Sequence, residues 1–198
     1  MIKVAITGNI GTGKTTVSKI LKLMRYKVFE SDKEVKKILK YKKIITRIKD
    51  EFVHINKRLV TNDGHINNTE LGNVVFSKKL ELQKLEKIIH PEIWKLQDKF
   101  LKKNKKEKIL FFDIPLLFEK KLDDKYDYIF YTYVPFKIQK KRVLQRENMS
   151  EERFNKIWRN QVRYSKINKK LVSLKIETNS SEDLIRIKIK QFLKNILI

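Results

Sequence analysis

Eight consecutive residues, Gly8-Asn9-Ile10-Gly11-Thr12-Gly13-Lys14-Thr15, constrain this chain more than any other stretch. They match the spacing G-x-x-x-x-G-K-[ST] in full. The run Ile2–Thr7 precedes them and reads as a strand. A helix pattern starts near Lys14, with Val17, Ile20, Leu21 and Met24 at helical spacing. Glycines let such a loop curl with its N–H groups around a phosphate. The helix N-terminus adds a partial positive charge aimed at the same anion. In this reading Lys14 bridges the β- and γ-phosphates of a nucleoside triphosphate, and the Thr15 hydroxyl ligates Mg²⁺. Gly8, Gly11, Thr12, Gly13, Lys14, Thr15 and Thr16 are the candidate nucleotide-binding set.

The remaining pattern indicates an α/β fold. Val28-Phe29 reads as a short second strand, and about Lys33 to Phe52 as helical. Asn62-Asp63-Gly64 is a turn signal. Thr69 to Asn104 reads as helix broken at Pro91. Ile109-Leu110-Phe111-Phe112 and Tyr128-Ile129-Phe130-Tyr131 are continuous apolar runs, as in strands of a parallel sheet buried on both faces. Helices are expected over Phe136–Arg146 and Glu151–Arg163, the second capped by Ser150, and over Glu182–Leu197 after a strand at Val172–Glu177. Alternating strands and helices give a doubly wound sheet. The stretch between the second strand and Ile109 is too long for a simple crossover. It is expected to be a substrate-binding insertion, about residues 59–104, within a core of about 1–58 and 105–198.

The 198 residues suit one such domain. There is no cysteine, which excludes disulfides and thiolate metal sites. No apolar run reaches membrane-spanning length, and no apolar leader precedes the first strand. A cytoplasmic location is expected. The net charge of +24 admits a nucleic-acid partner. Yet lysines are scattered along the whole chain, Gly occurs only five times and Ala5 is the sole alanine. Compositional drift is the preferred reading, and nucleic acid is not expected as a partner.

Three reaction classes share this loop: small-molecule kinases, GTPase switches and nucleic-acid motors. No D-x-x-G follows the third strand, since Asp113 leads into Ile114-Pro115-Leu116, and no N-K-x-D is present. The acidic pair typical of motors is also missing. A kinase is the expectation. Glu30-Ser31-Asp32 follows the second strand, where the carboxyl ends of strands face the ligand crevice. Asp32 there is either the base that takes the proton of an attacking hydroxyl or the cap of a helix beginning at Lys33. Lys140, Lys141, Arg142, Arg146 and Arg153 form a basic segment after the fourth strand. Arg142 and Arg146, four apart, share a helix face. They either close as a lid, about residues 140–165, and steady transition-state charge, or form an exposed basic helix.

At this point the chain resembles the dephospho-coenzyme A kinase family nearly end to end. The matches, in order, are Thr7–Thr16, E-S-D at Glu30–Asp32, I-H-P at Ile89–Pro91 and F-D-I-P-L-L-F-E at Phe112–Glu119. K-R-V-L-Q-R at Lys141–Arg146 and T-N-S at Thr178–Ser180 complete them. The resemblance implies a P-loop core with a five-stranded parallel sheet, a helical coenzyme-binding subdomain and a lid. It implies transfer of phosphate from ATP to the ribose 3′-hydroxyl of dephospho-coenzyme A. Asp32 matches the acceptor-side base. Lys14, Arg142 and Arg146 match the phosphate-stabilising residues. Asp113 falls at the Walker B-like, metal-side position. His90, Leu116, Leu117, Phe118 and Glu119 fall in acceptor-facing segments, and Asn179 lies where the chain passes adenine.

The chain departs from the family pattern at several positions. The usual D-A-D is Glu30-Ser31-Asp32, and Asn9 replaces a glycine. Asn9 is expected to be tolerated because Asn enters left-handed conformations readily. The usual leucine-glycine before the second strand is Met24-Arg25, and an arginine common after Gly64 is replaced at Asn68. A nucleoside-monophosphate-type kinase and a nucleic-acid-binding P-loop ATPase are the competing functions.

Overall fold

The structure is a computed structural model that describes residues 1–75, 78–147 and 149–197. Two compact units form: Met1–Glu30 with Asn104–Ile198, and Ser31–Lys103.

The first unit is built on five parallel strands: β1 Ile2–Thr7, β2 Val28–Glu30, β3 Ile109–Asp113, β4 Tyr128–Tyr133 and β5 Leu174–Glu177. Their spatial order is β2-β3-β1-β4-β5, which puts the strand that feeds the glycine loop in the centre. In register, Ile6 faces Asp113 of β3 and Phe130 of β4. Val4, Ile6, Phe111 and Phe130 form one buried face with Val17, Ile20 and Leu21 of α1 (Lys14–Leu23). Ile185, Ile189 and Leu193 of α8 (Glu182–Ile196) complete it. The Phe192 ring lies edge-on to Phe130 at 5.2 Å.

Helix α1 ends in a Schellman motif. Tyr26 N–H donates to Leu21 O and Arg25 N–H to Lys22 O. Such a motif needs a left-handed residue after the cap, and Arg25 supplies it with φ 67°. This is the position of the missing glycine.

The second unit is helical: α2 Ser31–Ile38, α3 Lys42–Phe52, α4 Asn68–Val75 and α5 Lys79–Lys103. Ile38, Ile44, Ile48, Phe52, Leu71, Ile88, Ile89 and Ile93 share one core. That shared core explains why the unit starts at Ser31, where the sequence expectation drew an insertion from about 59: α2 and α3 bury their apolar faces with α5. The stretch expected as one helix from Lys33 to Phe52 is two, divided at residues 39–41. Helix α5 runs through Pro91 where a break was expected. The ring removes one N–H from the ladder, and the apolar residues on both sides, Ile89 and Ile93, stay buried in the same core. The expected turn at Asn62–Gly64 is present, with Gly64 at φ 80° and Thr61 N–H donating to His65 O.

Candidate active site

The loop from Gly8 to Gly13 leaves the central strand and enters α1. Gly11 and Gly13 have φ of 76° and 86°. Close approach accounts for both glycines. A Cβ on Gly13 would meet Thr178 Oγ1 at 2.3 Å, and one on Gly11 would meet Val143 Cγ2 at 2.5 Å. Asn9, by contrast, is not among the left-handed residues, which apart from glycine are Arg25 and Lys121 among those described. The left-handed conformation expected for it is therefore not used: its side chain accepts from Tyr131 Oη at 3.3 Å, while its backbone carbonyl accepts from Thr12 N–H and Thr12 Oγ1 as any residue's could. Lys14 Nζ donates to Gly8 O at 2.6 Å and to Asn9 O at 3.3 Å, so its ammonium curls over the loop. Thr15 and Thr16 open α1, Thr15 exposed and Thr16 half-buried.

Residues from distant parts of the chain brace the loop from outside. Thr132 on β4 donates to Thr7 O, which sets its Oγ1 2.8 Å from Thr12 Oγ1. Thr178, just past β5, donates to Thr12 O at 2.7 Å. Gln139 on α6 (Phe136–Leu144) donates through Nε2 to Ile10 O at 2.7 Å. Gln161, the cap residue after α7 (Glu151–Asn160), accepts from Ile10 N–H at 2.8 Å. Sequence reading missed Gln139, Gln161 and Thr132. No spacing signal could have found them, because their partners lie more than 100 residues away along the chain.

Two carboxylates stand at the strand ends beside α1. Ser18 Oγ donates to Asp113 Oδ2 at 3.4 Å, and Lys22 pairs with Glu30. Ser18 lies one turn beyond Thr15 on α1 and reaches the β3 terminus. A hydroxyl and a carboxylate, both hard oxygen donors, suit Mg²⁺, which takes few protein ligands and completes its shell with phosphate and water. Among the described residues, no group of three His, Cys, Asp or Glu side chains forms an all-protein metal cage.

Arg142 donates from Nη1 to Thr178 Oγ1 at 3.1 Å and from Nη2 to Thr178 O at 3.0 Å. The guanidinium is thus oriented against the loop's outer wall. Arg146 departs from the expected shared face. Helix α6 ends at Leu144, and Arg146 lies beyond it, exposed, in a turn closed by Arg146 N–H to Val143 O. Ser150 does cap α7, accepting from Arg153 N–H at 3.1 Å. Phe136 joins α6 to α7 through ring contacts with Phe154 at 5.9 Å and Trp158 at 5.1 Å.

The D-I-P-L-L-F-E segment forms a turn. Leu117 is fully buried in the first unit and Leu116 is exposed. The Phe118 ring lies 6.5 Å from Tyr131. Glu119 Oε1 accepts from Val162 N–H at 2.8 Å, one residue past Gln161. Burial first, then the nearby Glu119 carboxylate and Tyr164, pushes the Tyr131 phenol up to about 12. Asn179 sits exposed in the turn after β5. In the second unit, Asp32 occupies the first turn of α2, which begins at Ser31; it does not cap a helix starting at Lys33. A carboxylate in a first turn is favoured by the helix dipole. His90 lies inside α5 with its ring 6.0 Å from Trp94, so it does not close a helix there.

A five-stranded parallel sheet in this order, with the glycine loop and its lysine between the central strand and a helix, defines a P-loop kinase fold. The dephospho-CoA kinase family model matches residues 2–183. The dephospho-CoA kinase of Fusobacterium nucleatum is 34% identical over 194 residues, 98% of this chain and 97% of that protein. The crystal structure of TT1252 from Thermus thermophilus superposes with a TM-score of 0.72 at 29% identity, over 99% of this chain and 96% of that one. Dephospho-CoA kinase from Campylobacter jejuni shares the fold, with a TM-score of 0.70 at 24% identity over 98% and 96% of the two chains. The chain belongs to the dephospho-CoA kinase family. Among the described residues no helix is long and apolar enough to cross a membrane.

Proposed function

We propose that this enzyme transfers the γ-phosphoryl group of ATP to the ribose 3′-hydroxyl of dephospho-coenzyme A, giving coenzyme A and ADP, in the cytoplasm. The observation that carries the nucleotide half is the braced glycine loop with Lys14 curled over it. The family assignment carries the acceptor half.

In this reading the loop amides and Lys14 hold the β- and γ-phosphates. Lys14 exchanges its bonds to Gly8 O and Asn9 O for phosphate oxygens. Asp32 takes the proton of the 3′-hydroxyl as its oxygen attacks the γ-phosphorus, while the bond from that phosphorus to the β,γ-bridging oxygen breaks and ADP leaves. Arg142 and Arg146 steady the charge spread over the transferring group. Thr15 and Asp113 would hold Mg²⁺, which offsets negative charge on the phosphates. His90, Leu116, Leu117, Phe118 and Glu119 serve the acceptor side, and Asn179 the adenine of ATP. The segment of about 140–165 acts as a lid that excludes water from the transferring phosphoryl group.

The test is ADP release by purified protein with ATP and Mg²⁺, with and without dephospho-coenzyme A. ADP formation that depends on this acceptor is expected. Equal release without it, or phosphorylation of nucleoside monophosphates instead, overturns the assignment. A nucleic-acid ATPase would show turnover stimulated by DNA or RNA and a steep loss of binding with salt.

A further inference from the structure

We propose that Thr178 and Gln139, neither of which belongs to the glycine-loop motif, are positioning residues that aim two of its amides at the nucleotide. The inference rests on the nucleotide-binding reading of that loop. In a trans peptide the C=O of one residue and the N–H of the next point in opposite directions. Fixing a carbonyl on one side therefore turns the following amide to the other. Thr178 Oγ1 donates to Thr12 O at 2.7 Å, which directs Gly13 N–H away from Thr178. Gln139 Nε2 donates to Ile10 O at 2.7 Å, which directs Gly11 N–H away from α6. Both side chains form part of the outer wall of the loop, so both amides turn toward its open side.

The direction of the Thr178 hydroxyl is forced. Arginine has donors only. Arg142 Nη1 donates to Thr178 Oγ1 at 3.1 Å, so the single hydroxyl proton goes to Thr12 O. Arg142 Nη2 also donates to Thr178 O, which fixes the backbone that carries the hydroxyl. Thr178 and Gln139 are 4% and 5% exposed, so water does not substitute readily for either bond. The tight contacts at the glycines agree with this arrangement. A Cβ at Gly13 would strike Thr178 itself, and one at Gly11 would come within 3.1 Å of Gln139 O. The wall and the glycines fit as one part: side chains are removed from the loop where the clamps come close.

Three variants of the full chain test the proposal: Thr178→Val and Gln139→Met, which keep shape and lose the donor, and Thr178→Ser, which restores it. Affinity for a non-hydrolysable ATP analogue is measured by titration, and KM for ATP and for dephospho-coenzyme A by ADP release. Thr178→Val and Gln139→Met are each expected to weaken analogue binding about tenfold, the loss of one buried hydrogen bond. Thr178→Ser is expected to bind like wild type, and KM for the acceptor is expected to hold in all three. The clamp is overturned if the Val or Met variant binds the analogue as wild type does, if Ser is as weak as Val, or if both KM values rise together. A wild-type chain that does not bind the analogue overturns the nucleotide reading itself, and the clamp with it.

Discussion

Glu30 lies directly opposite Asp113 in the parallel register of β2 and β3, and one helix holds both carboxylates. Lys22 of α1 pairs with Glu30, and Ser18, four residues earlier, hydrogen-bonds Asp113. The two carboxylates are therefore set differently. Glu30 pairs with an ammonium of α1, whereas Asp113 accepts from a hydroxyl of the same helix, that of Ser18, three residues past Thr15. Asp113→Asn is expected to raise the Mg²⁺ concentration for half-maximal rate about tenfold or more, with the fold kept. A Mg²⁺ titration of ADP release checks it; an unchanged midpoint removes Asp113 from the metal side.

Lys14→Ala removes both the point charge at the γ-phosphate and the contacts with Gly8 O and Asn9 O. Turnover is expected to drop by about 100-fold or more. The acceptor-dependent rate measured at saturating ATP decides this, since a loss of affinity alone would disappear there.

Asp32→Asn keeps the shape of the α2 first turn and loses the base. Turnover is expected to decrease about 100-fold or more while ATP affinity is spared. Equal loss of ATP binding would assign Asp32 to holding α2 in place.

Arg25 carries a left-handed backbone at φ 67° at the end of α1. A side chain there costs about 1–2 kcal/mol that glycine does not incur. Glycine gives back roughly 0.5–1 kcal/mol through the freer unfolded chain. Arg25→Gly is thus expected to stabilise the protein by a few tenths to about 1 kcal/mol. Thermal or urea unfolding reads it, and a loss of stability would contradict the Schellman assignment.

Tyr131 is buried, and its phenol is pushed up to about 12 from 10.0, by burial first and then by Glu119 and Tyr164. Between about pH 10 and 12 the unfolded chain has released this proton and the folded chain still holds it. The folded state then binds more protons, so stability decreases as pH rises through that window. Unfolding at several alkaline pH values should show a shallower decline for Tyr131→Phe than for wild type. Parallel declines would mean that Tyr131 contributes nothing to the slope.

Much of the first unit was legible in the sequence because its signals are local. Gly8–Thr15 sits between a strand-like run and a helical period, and both elements formed as expected. Ile109–Phe112 and Tyr128–Tyr131 are apolar throughout because strands covered on both faces have no wet side to mark. Ser150 capped its helix because a cap is decided within three residues.

Tertiary structure alone decided what holds the loop in shape. Thr178, Gln139, Gln161 and Thr132 reach it across 120 to 166 positions of chain, and a single hydrogen-bonding side chain at such a distance leaves no period or spacing to read. It also decided that Arg146 falls outside the helix that carries Arg142, that α5 continues through Pro91, and that an arginine takes a glycine's conformation. Each of these is a local preference overruled by packing. Buried contacts elsewhere can offset a lost N–H, a shortened last turn or a strained φ, and those contacts exist only once distant segments have come together.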